Sequence, residues 1–338
     1  MQSRSILILA VAALGLGTGA AIVGFGLVPL GGSGGSGAPA GSSKGSSSAH
    51  DKTVAPATGE DAAYLAYDAG RYLTALKLAE EAAARGDPQA HTLIGRIYEE
   101  GRGLSKDEAT AARWYARGAE LGDVPAMLAI GTMLAQGRGV QKDLKLAAEM
   151  FEKAALTGDP IANYNLGLLF LKGDGKPENP YRAAEHIRYA AEKGIAAAQY
   201  DLAALYQNGM GVPFDALEAA EWMSKAAQQG LAAAQYDYAV MLLKGQGLKR
   251  DEAKAIAYLK AAAEKGLAPA QNRLGNVYAE GAGVEANPIE AAKWRIIAKA
   301  GGVPDDKLDL YVKSLTDADR TKAEQAAGDW RDRKQLMQ

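Results

Sequence analysis

Residues that could carry out catalysis are few and widely separated in this sequence. The 338 residues include three histidines and no cysteine, which excludes thiol nucleophiles, thiolate zinc sites and iron–sulfur clusters. Between residues 87 and 302 the only histidines and serines are His91, His186, Ser105 and Ser224. A serine hydrolase needs its serine and histidine within hydrogen-bond reach, and this spacing does not favour that. The sequence therefore predicts a non-enzymatic protein without catalytic residues, metal site or cofactor.

Two other patterns could do chemistry, but a structural role explains both. Glu99 and Glu100 could act as an acid and base pair, yet they end a helical stretch beside a glycine loop, where solvated carboxylates are expected. A recurring G-x-G pair resembles a phosphate loop, but such a loop follows a strand and carries a third glycine that opens a helix. We interpret these glycines as helix terminators. We expect His186 to be structural and His91 to be more exposed.

Glycines at a constant spacing show which elements position these residues. Glycine recurs every 36 residues from Gly86 to Gly302, which divides residues 87–302 into six repeats. The fourth residue of every repeat is alanine, a G-x-G pair lies near its middle, and Asp or Asn follows four residues after that pair. In the first repeat these positions are Ala90, Gly101 with Gly103, and Asp107. The chain between residues 87 and 302 is therefore one motif repeated.

Each repeat has the pattern of two short antiparallel helices. In the first repeat, Ala90, Ile94 and Ile97 share one helical face, and Gly95 allows the neighbouring helix to approach. Asp107 is suited to cap the second helix. One pair cannot bury its own apolar face, so the sequence predicts an all-α, right-handed solenoid of helical hairpins. We expect a further helix pair at 60–86 and a helical cap at 303–338.

The repeats resemble a known family. The fourth repeat contains AAAQYDLAALYQNGMGVPFDALEAAEWMSKAAQQG, which is similar to the Sel1-like repeat, a relative of the tetratricopeptide repeat. The resemblance covers 87–302, and the Gly-Arg-Tyr-x-x-Ala-Leu segment from Gly70 is closer to a tetratricopeptide half-unit. This resemblance implies a scaffold or adaptor that assembles complexes, often at membranes or in the bacterial envelope.

The resemblance also implies a binding surface, because the first helix of each pair lines the concave side of tetratricopeptide-like solenoids. The sixth residue of each repeat should point there, and three consecutive repeats carry tyrosine, a rigid side chain favoured at binding hot spots. The candidate partner-binding residues are Tyr164, Asn165, Leu168, Tyr200, Asp201, Tyr236, Asp237 and Val240. The alternative is that these tyrosines pack between neighbouring first helices.

The N-terminal 30 residues have the pattern of a membrane-targeting segment. Arg4 precedes an uncharged stretch from Ser5 to Leu30, which is long enough to span a bilayer as a signal anchor. A cleaved signal peptide is the alternative. Residues 31–59 consist mostly of Gly, Ser, Ala and Pro and predict a flexible linker with a reach of about 30 Å. Because positive charge stays inside, both alternatives place the repeats on the periplasmic side of the inner membrane.

The charge balance limits the class of partner. The net charge is −2, whereas a protein that binds nucleic acid needs a basic surplus to displace counterions from phosphates. We therefore expect no nucleic-acid partner. The predicted function is a protein-binding scaffold or regulatory adaptor of the bacterial cell envelope, with a protein or peptide on the concave face. The alternative is an envelope module that binds peptidoglycan or another polysaccharide through its tyrosines.

Overall fold

The computed structural model describes residues 59–336, so the predicted membrane segment 1–30 and all but the last residue of the predicted linker 31–59 lie outside the described residues. The described part contains 16 α-helices and no strand. The helices are α1 Gly59–Asp68, α2 Tyr72–Ala84, α3 Pro88–Glu100, α4 Glu108–Glu120, α5 Val124–Gln136, α6 Leu144–Leu156, α7 Pro160–Lys172, α8 Pro180–Glu192, α9 Ala196–Asn208, α10 Ala216–Gln228, α11 Ala232–Lys244, α12 Glu252–Glu264, α13 Ala268–Glu280, α14 Pro288–Ala300, α15 Asp306–Ser314 and α16 Asp317–Leu336.

These helices form two compact units, whose described parts are residues 59–178 and 179–336. The first unit contains α1 to α7 and the second contains α8 to α16. Within each unit, consecutive repeat helices pack against each other as hairpins, and each hairpin packs against the next. This confirms the predicted all-α solenoid of helical hairpins. Its right-handed sense stays a prediction.

Local capping chemistry sets the helix ends. Gly101 ends α3 with a left-handed backbone at φ 68°, and Asp107 begins α4 by accepting a hydrogen bond from the Thr110 N–H at 2.9 Å. Both boundaries were predicted, since a C-terminal glycine and an N-terminal carboxylate satisfy orphan backbone groups. The first helices of the first three repeats are also capped by aspartate, as at Asp87, which accepts from the Gln89 N–H.

In the first two repeats an aromatic residue of the second helix fills the space left by a glycine on the first helix, as Phe151 does at Gly131. A Cβ atom at Gly95 would lie 2.8 Å from the Tyr115 ring, so only glycine permits this approach. This confirms the role predicted for Gly95. Tyr115 is buried, whereas the preceding residue, Trp114, is only half-buried. Adjacent residues on a helix point about 100° apart, so only one of the two faces the neighbouring helix squarely.

A buried ionic cluster joins helix α15 to the last repeat. Arg295 occupies the repeat position that Phe151 fills earlier, and it is only 2% exposed. Its Nε donates to Asp309 Oδ1 at 2.6 Å, and its Nη1 donates to the Asn272 side chain at 2.9 Å and to the Val303 carbonyl at 2.8 Å. The second unit is therefore closed by a charged pair where the preceding repeats use apolar contacts.

Candidate binding surface

The structure divides the predicted partner-binding residues into a buried and a half-buried group. In the first unit, the α7 residues Tyr164, Asn165 and Leu168 are buried, and in the second unit Asp201 on α9 is buried as well. The half-buried residues are Tyr200, Tyr236, Asp237 and Val240 on α9 and α11.

The prediction that all three tyrosines stand on an accessible face is therefore wrong for Tyr164, which is 3% exposed. Every α7 residue from Ala162 to Phe170 is buried. A helix with apolar residues nearly all round is typically enclosed on every side, and ANYNLGLLF in α7 is such a sequence. A binding role for these residues stays a prediction.

Tyr200 and Asp237 form a hydrogen bond between consecutive repeats in the second unit. The Tyr200 hydroxyl donates to Asp237 Oδ2 at 2.7 Å. Burial raises the pKa of the Asp237 carboxyl above its usual range, although the Tyr200 hydrogen bond opposes this effect. Burial also raises the pKa values of Tyr200 and Tyr236. A carboxyl group whose pKa is shifted by burial is a frequent feature of functional sites.

A cleft of about 250 Å³ opens in the first unit between the first helices of repeats one and two, α3 and α5. Its lining residues are Tyr64, Thr92, Leu93, Arg96, Glu99, Glu100, Tyr115, Pro125, Ala129, Thr132 and Arg138. Thr92 is the sixth residue of repeat one, so the cleft lies on the surface that the sequence assigned to binding. The sequence analysis places its candidate residues two repeats further along, because tyrosine is its signal and Glu99 with Glu100 fits a solvated helix end.

The floor and one wall of the cleft are tightly organised. Glu99 accepts a hydrogen bond from the Tyr115 hydroxyl at 2.8 Å and one from Arg138 Nη2 at 3.0 Å. Burial and the neighbouring Glu99 carboxylate raise the pKa of Tyr115. Thr92 donates to Asp123 Oδ2 at 2.5 Å, which ties α3 to the cap of α5. These bonds pre-organise the cleft, and pre-organisation lowers the entropic cost of binding.

The opposite wall contains Arg96 and Glu100. Glu100 Oε2 accepts from the Tyr67 hydroxyl at 2.5 Å and from Arg102 Nε at 3.1 Å. Burial and this hydrogen bond to Glu100 raise the pKa of Tyr67 to about 12. Arg96 Nε lies 3.6 Å from Glu100 Oε1, and its guanidinium lies 5.9 Å from the centre of the Tyr67 ring. Arg96 and Glu100 therefore both line the cleft, and Arg102, outside the lining, also contacts the Glu100 carboxylate.

Comparison with protein families decides the identity of the repeats. A model described as "Sel1 repeat" matches six consecutive segments: 88–123, 124–159, 160–195, 196–231, 232–267 and 268–302. The chain belongs to the Sel1 repeat family. These Sel1 repeats agree within one residue with those drawn from the glycine spacing.

Two solved Sel1-type structures are similar to this chain. A Sel1 repeat protein from Oxalobacter formigenes is 30% identical, with a TM-score of 0.65, over 72% of this chain and 97% of that one. The protein c5321, a protective antigen of uropathogenic Escherichia coli strains with the SLR fold, is 28% identical, with a TM-score of 0.53, over 80% of this chain and 68% of that one. A search of curated proteins found no match. The Sel1 repeat is a scaffold fold that commonly mediates protein–protein interaction.

Both repeat histidines of this Sel1 protein lie within helices. The expectation that His91 is exposed is wrong: it is 6% exposed, its Nδ1 lies 2.7 Å from the Asp87 carbonyl oxygen, and its ring centre lies 5.4 Å from that of Trp114. Position five of the repeat faces the end of the preceding helix, which the first-helix pattern alone does not show. His186 is half-buried on α8.

Two further searches cover only the part of the sequence that the structure describes. No group of three or more His, Asp or Glu side chains in residues 59–336 is arranged to hold a metal ion. None of the described helices is both long enough and apolar enough to cross a membrane.

Proposed function

We propose that this Sel1 repeat protein is a non-enzymatic scaffold that binds a protein or peptide on the surface of its first helices. The observation that carries the proposal is the cleft between α3 and α5, with its volume of about 250 Å³. Its walls combine apolar side chains with arginine, glutamate and tyrosine, and arginine and tyrosine are enriched at protein interfaces. A scaffold acts through this geometry, since preformed contacts on rigid helices select a partner.

Protein binding is a better match than polysaccharide binding. Sugar rings stack on open aromatic faces, whereas Tyr164 is buried and the Tyr200 hydroxyl is occupied by Asp237. The cleft instead provides charged side chains of both signs around the apolar residues Leu93, Pro125 and Ala129. That composition complements the backbone and mixed side chains of a polypeptide.

We further propose that the repeats work in the bacterial envelope, on the periplasmic side of the inner membrane. Support comes from Arg4 and the uncharged stretch that follows it, which fit an N-terminal anchor or signal peptide. An anchor that is retained would let the linker set how far the repeats search for a partner. Regulation or assembly of an envelope complex is the corresponding biological role.

Blocking the cleft is expected to abolish peptide binding. Random short peptides displayed on phage are selected on the full-length protein, and their affinities are compared for the wild type and for Ala129→Arg, which fills the cleft. Ala109→Arg is the matched control because Ala109 is exposed on α4 of the same unit. We expect at least about a tenfold loss of affinity for the first variant and no change for the second. Ala129 is only 9% exposed, so circular dichroism is used to verify that Ala129→Arg keeps its helical fold. Selective retention of purified peptidoglycan, with no peptide enriched, would instead establish the polysaccharide function.

Reporter fusions test the proposed location. A reporter that is active only in the periplasm is fused after Gln338, and a reporter active only in the cytoplasm is fused at the same position in a second strain. We expect activity from the periplasmic reporter alone, because Arg4 holds the N-terminus inside. Substitution of the uncharged stretch, as in Val11→Asp with Leu14→Asp, is expected to abolish that activity. An active cytoplasmic fusion would overturn the location and leave the binding proposal intact.

A further inference from the structure

The carboxylates that line the cleft are already neutralised by groups of the protein. Glu99 is bonded to Tyr115 and Arg138, and Glu100 is bonded to Tyr67 and Arg102. A cationic ligand group would have to displace these bonds, and hydrogen bonds to a charged group are stronger than those between neutral groups. The acidic residues of the cleft are therefore unsuited to bind an incoming amine or guanidinium.

Arg138, one of two arginines that line the cleft, is also fully engaged. Its Nη2 lies 3.0 Å from Glu99 Oε1, its Nη1 lies 3.4 Å from Glu108 Oε1, and its Nε donates to Gln136 Oε1 at 2.7 Å. All three nitrogens thus have a partner. This arginine fixes the loop after α5 against α3 and α4, and it is a structural cation.

Arg96, the other arginine of the cleft, makes few polar contacts within the protein. Among the described residues its only ion pair is the 3.6 Å approach of Nε to Glu100, which is longer than a hydrogen bond. Neither terminal nitrogen has a hydrogen-bond partner in this part of the protein, although guanidinium carries five N–H donors. The side chain is 41% exposed and its guanidinium lies near the Tyr67 ring, which restricts its position. The planar guanidinium of Arg96 therefore lines the cleft with N–H donors that have no acceptor there.

The cleft floor beside Arg96 is apolar. Leu93 lies one helical turn before Arg96 on α3, and Pro125 and Ala129 lie opposite on α5. The hydroxyl of Thr132 donates to the Leu128 carbonyl at 2.8 Å and is therefore turned back onto its own helix. The guanidinium of Arg96 can bind a carboxylate, and the apolar surface next to it can bind an apolar side chain that is adjacent to that carboxylate.

We propose that Arg96 binds a carboxylate of the peptide ligand and that the floor formed by Leu93, Pro125 and Ala129 receives the apolar side chain beside it. Arginine binds carboxylates through two parallel hydrogen bonds, which fixes orientation as well as contributing affinity. The carboxylate belongs either to the C-terminus of the peptide or to one of its Asp or Glu residues. This inference rests on the proposed function, because it names the chemistry of the ligand at the same cleft.

Matched peptide pairs test this inference on the full-length protein. The probes are short synthetic peptides made as acid and amide versions: Asp against Asn, Glu against Gln, and a free C-terminus against a C-terminal amide. Dissociation constants are measured by fluorescence anisotropy for the wild type, Arg96→Gln, Arg96→Lys and Arg117→Gln. Arg117 is the control because it lies on α4 of the same unit and its side chain is 58% exposed.

We expect the wild type and Arg117→Gln to bind the acidic member of a pair at least about tenfold more tightly than its amide. Arg96→Gln should lose that preference, and Arg96→Lys should retain part of it because lysine keeps the charge without the fork. The pairs that show the preference distinguish a C-terminal carboxylate from the carboxylate of an Asp or Glu residue.

Two results would overturn the inference while leaving the proposed function in place: equal binding of acids and amides, or an Arg96→Gln variant that weakens both members alike. Absence of binding by every peptide would overturn the proposed function and this inference together.

Discussion

Asp309→Ala should destabilise the second compact unit by about 3–5 kcal/mol, because it leaves the buried Arg295 guanidinium without its counter-ion. Arg295 is 2% exposed, and its Nε donates to Asp309 at 2.6 Å. Removing one partner of a buried ion pair costs more than the pair itself contributes, since the remaining charge stays desolvated. Urea unfolding of the full-length protein measures the loss of unfolding free energy. Hydrogen exchange then shows whether the loss is located in α13 to α15.

Lys299→Ala is the matched control for this prediction. Lys299 Nζ lies 2.9 Å from the other oxygen of Asp309, but its side chain is 62% exposed. Exposed ion pairs contribute at most about 1 kcal/mol, so this variant should remain close to the wild type. The double variant Asp309→Ala with Arg295→Met should recover much of the stability, because it removes both charges. Equal effects of Asp309→Ala and Lys299→Ala would show that the buried pair is not what holds α15.

The same pair should appear in the pH dependence of stability. The hydrogen bond from Arg295 lowers the pKa of Asp309 from 3.8 to about 2. A pKa that is lower in the folded state contributes stability above the unfolded value, and this contribution is lost as the pH falls from about 4 to about 2. Asp309→Ala should therefore reduce the loss of unfolding free energy that the protein shows in that pH window.

Gly211→Ala should be far more destabilising than Gly194→Ala, although both glycines have a left-handed backbone in the same unit. Their φ values are 68° and 90°. Such a backbone costs alanine about 1–2 kcal/mol at either position. A Cβ atom at Gly211 would also overlap the Pro180 carbonyl oxygen, whereas one at Gly194 would have no atom within 4 Å. The G-x-G loop of one repeat would therefore have to move off the helix of the preceding one, at a further cost of about 1–3 kcal/mol.

Asparagine substitutions separate the two causes, because asparagine tolerates the left-handed region. Gly194→Asn should be nearly as stable as the wild type, while Gly211→Asn should remain strongly destabilised. Thermal melts of the four variants compare the two positions directly. Rescue of Gly211 by asparagine would mean that backbone conformation, and not close packing, explains the second glycine of the pair.

The sequence by itself determined the helical-repeat architecture and most helix boundaries of this protein. The glycine spacing of 36 residues, the cap at Asp107 and the helix end at Gly101 all appear in the structure as predicted. The physical reason is that capping acts over three or four residues. Such signals do not depend on what the repeat packs against, so they can be interpreted one segment at a time.

Only the tertiary structure decided which side chains of the repeats meet and which remain accessible. Tyr200 bonds to Asp237, 37 residues away, and Glu99 pairs with Arg138, 39 residues away. Burial depends on the neighbouring helices, so equal positions in the repeat differ: Tyr164 is buried while Tyr236 is half-buried. The cleft beside Arg96 arises in the same way, because its walls come from helices of successive repeats whose side chains no local pattern relates.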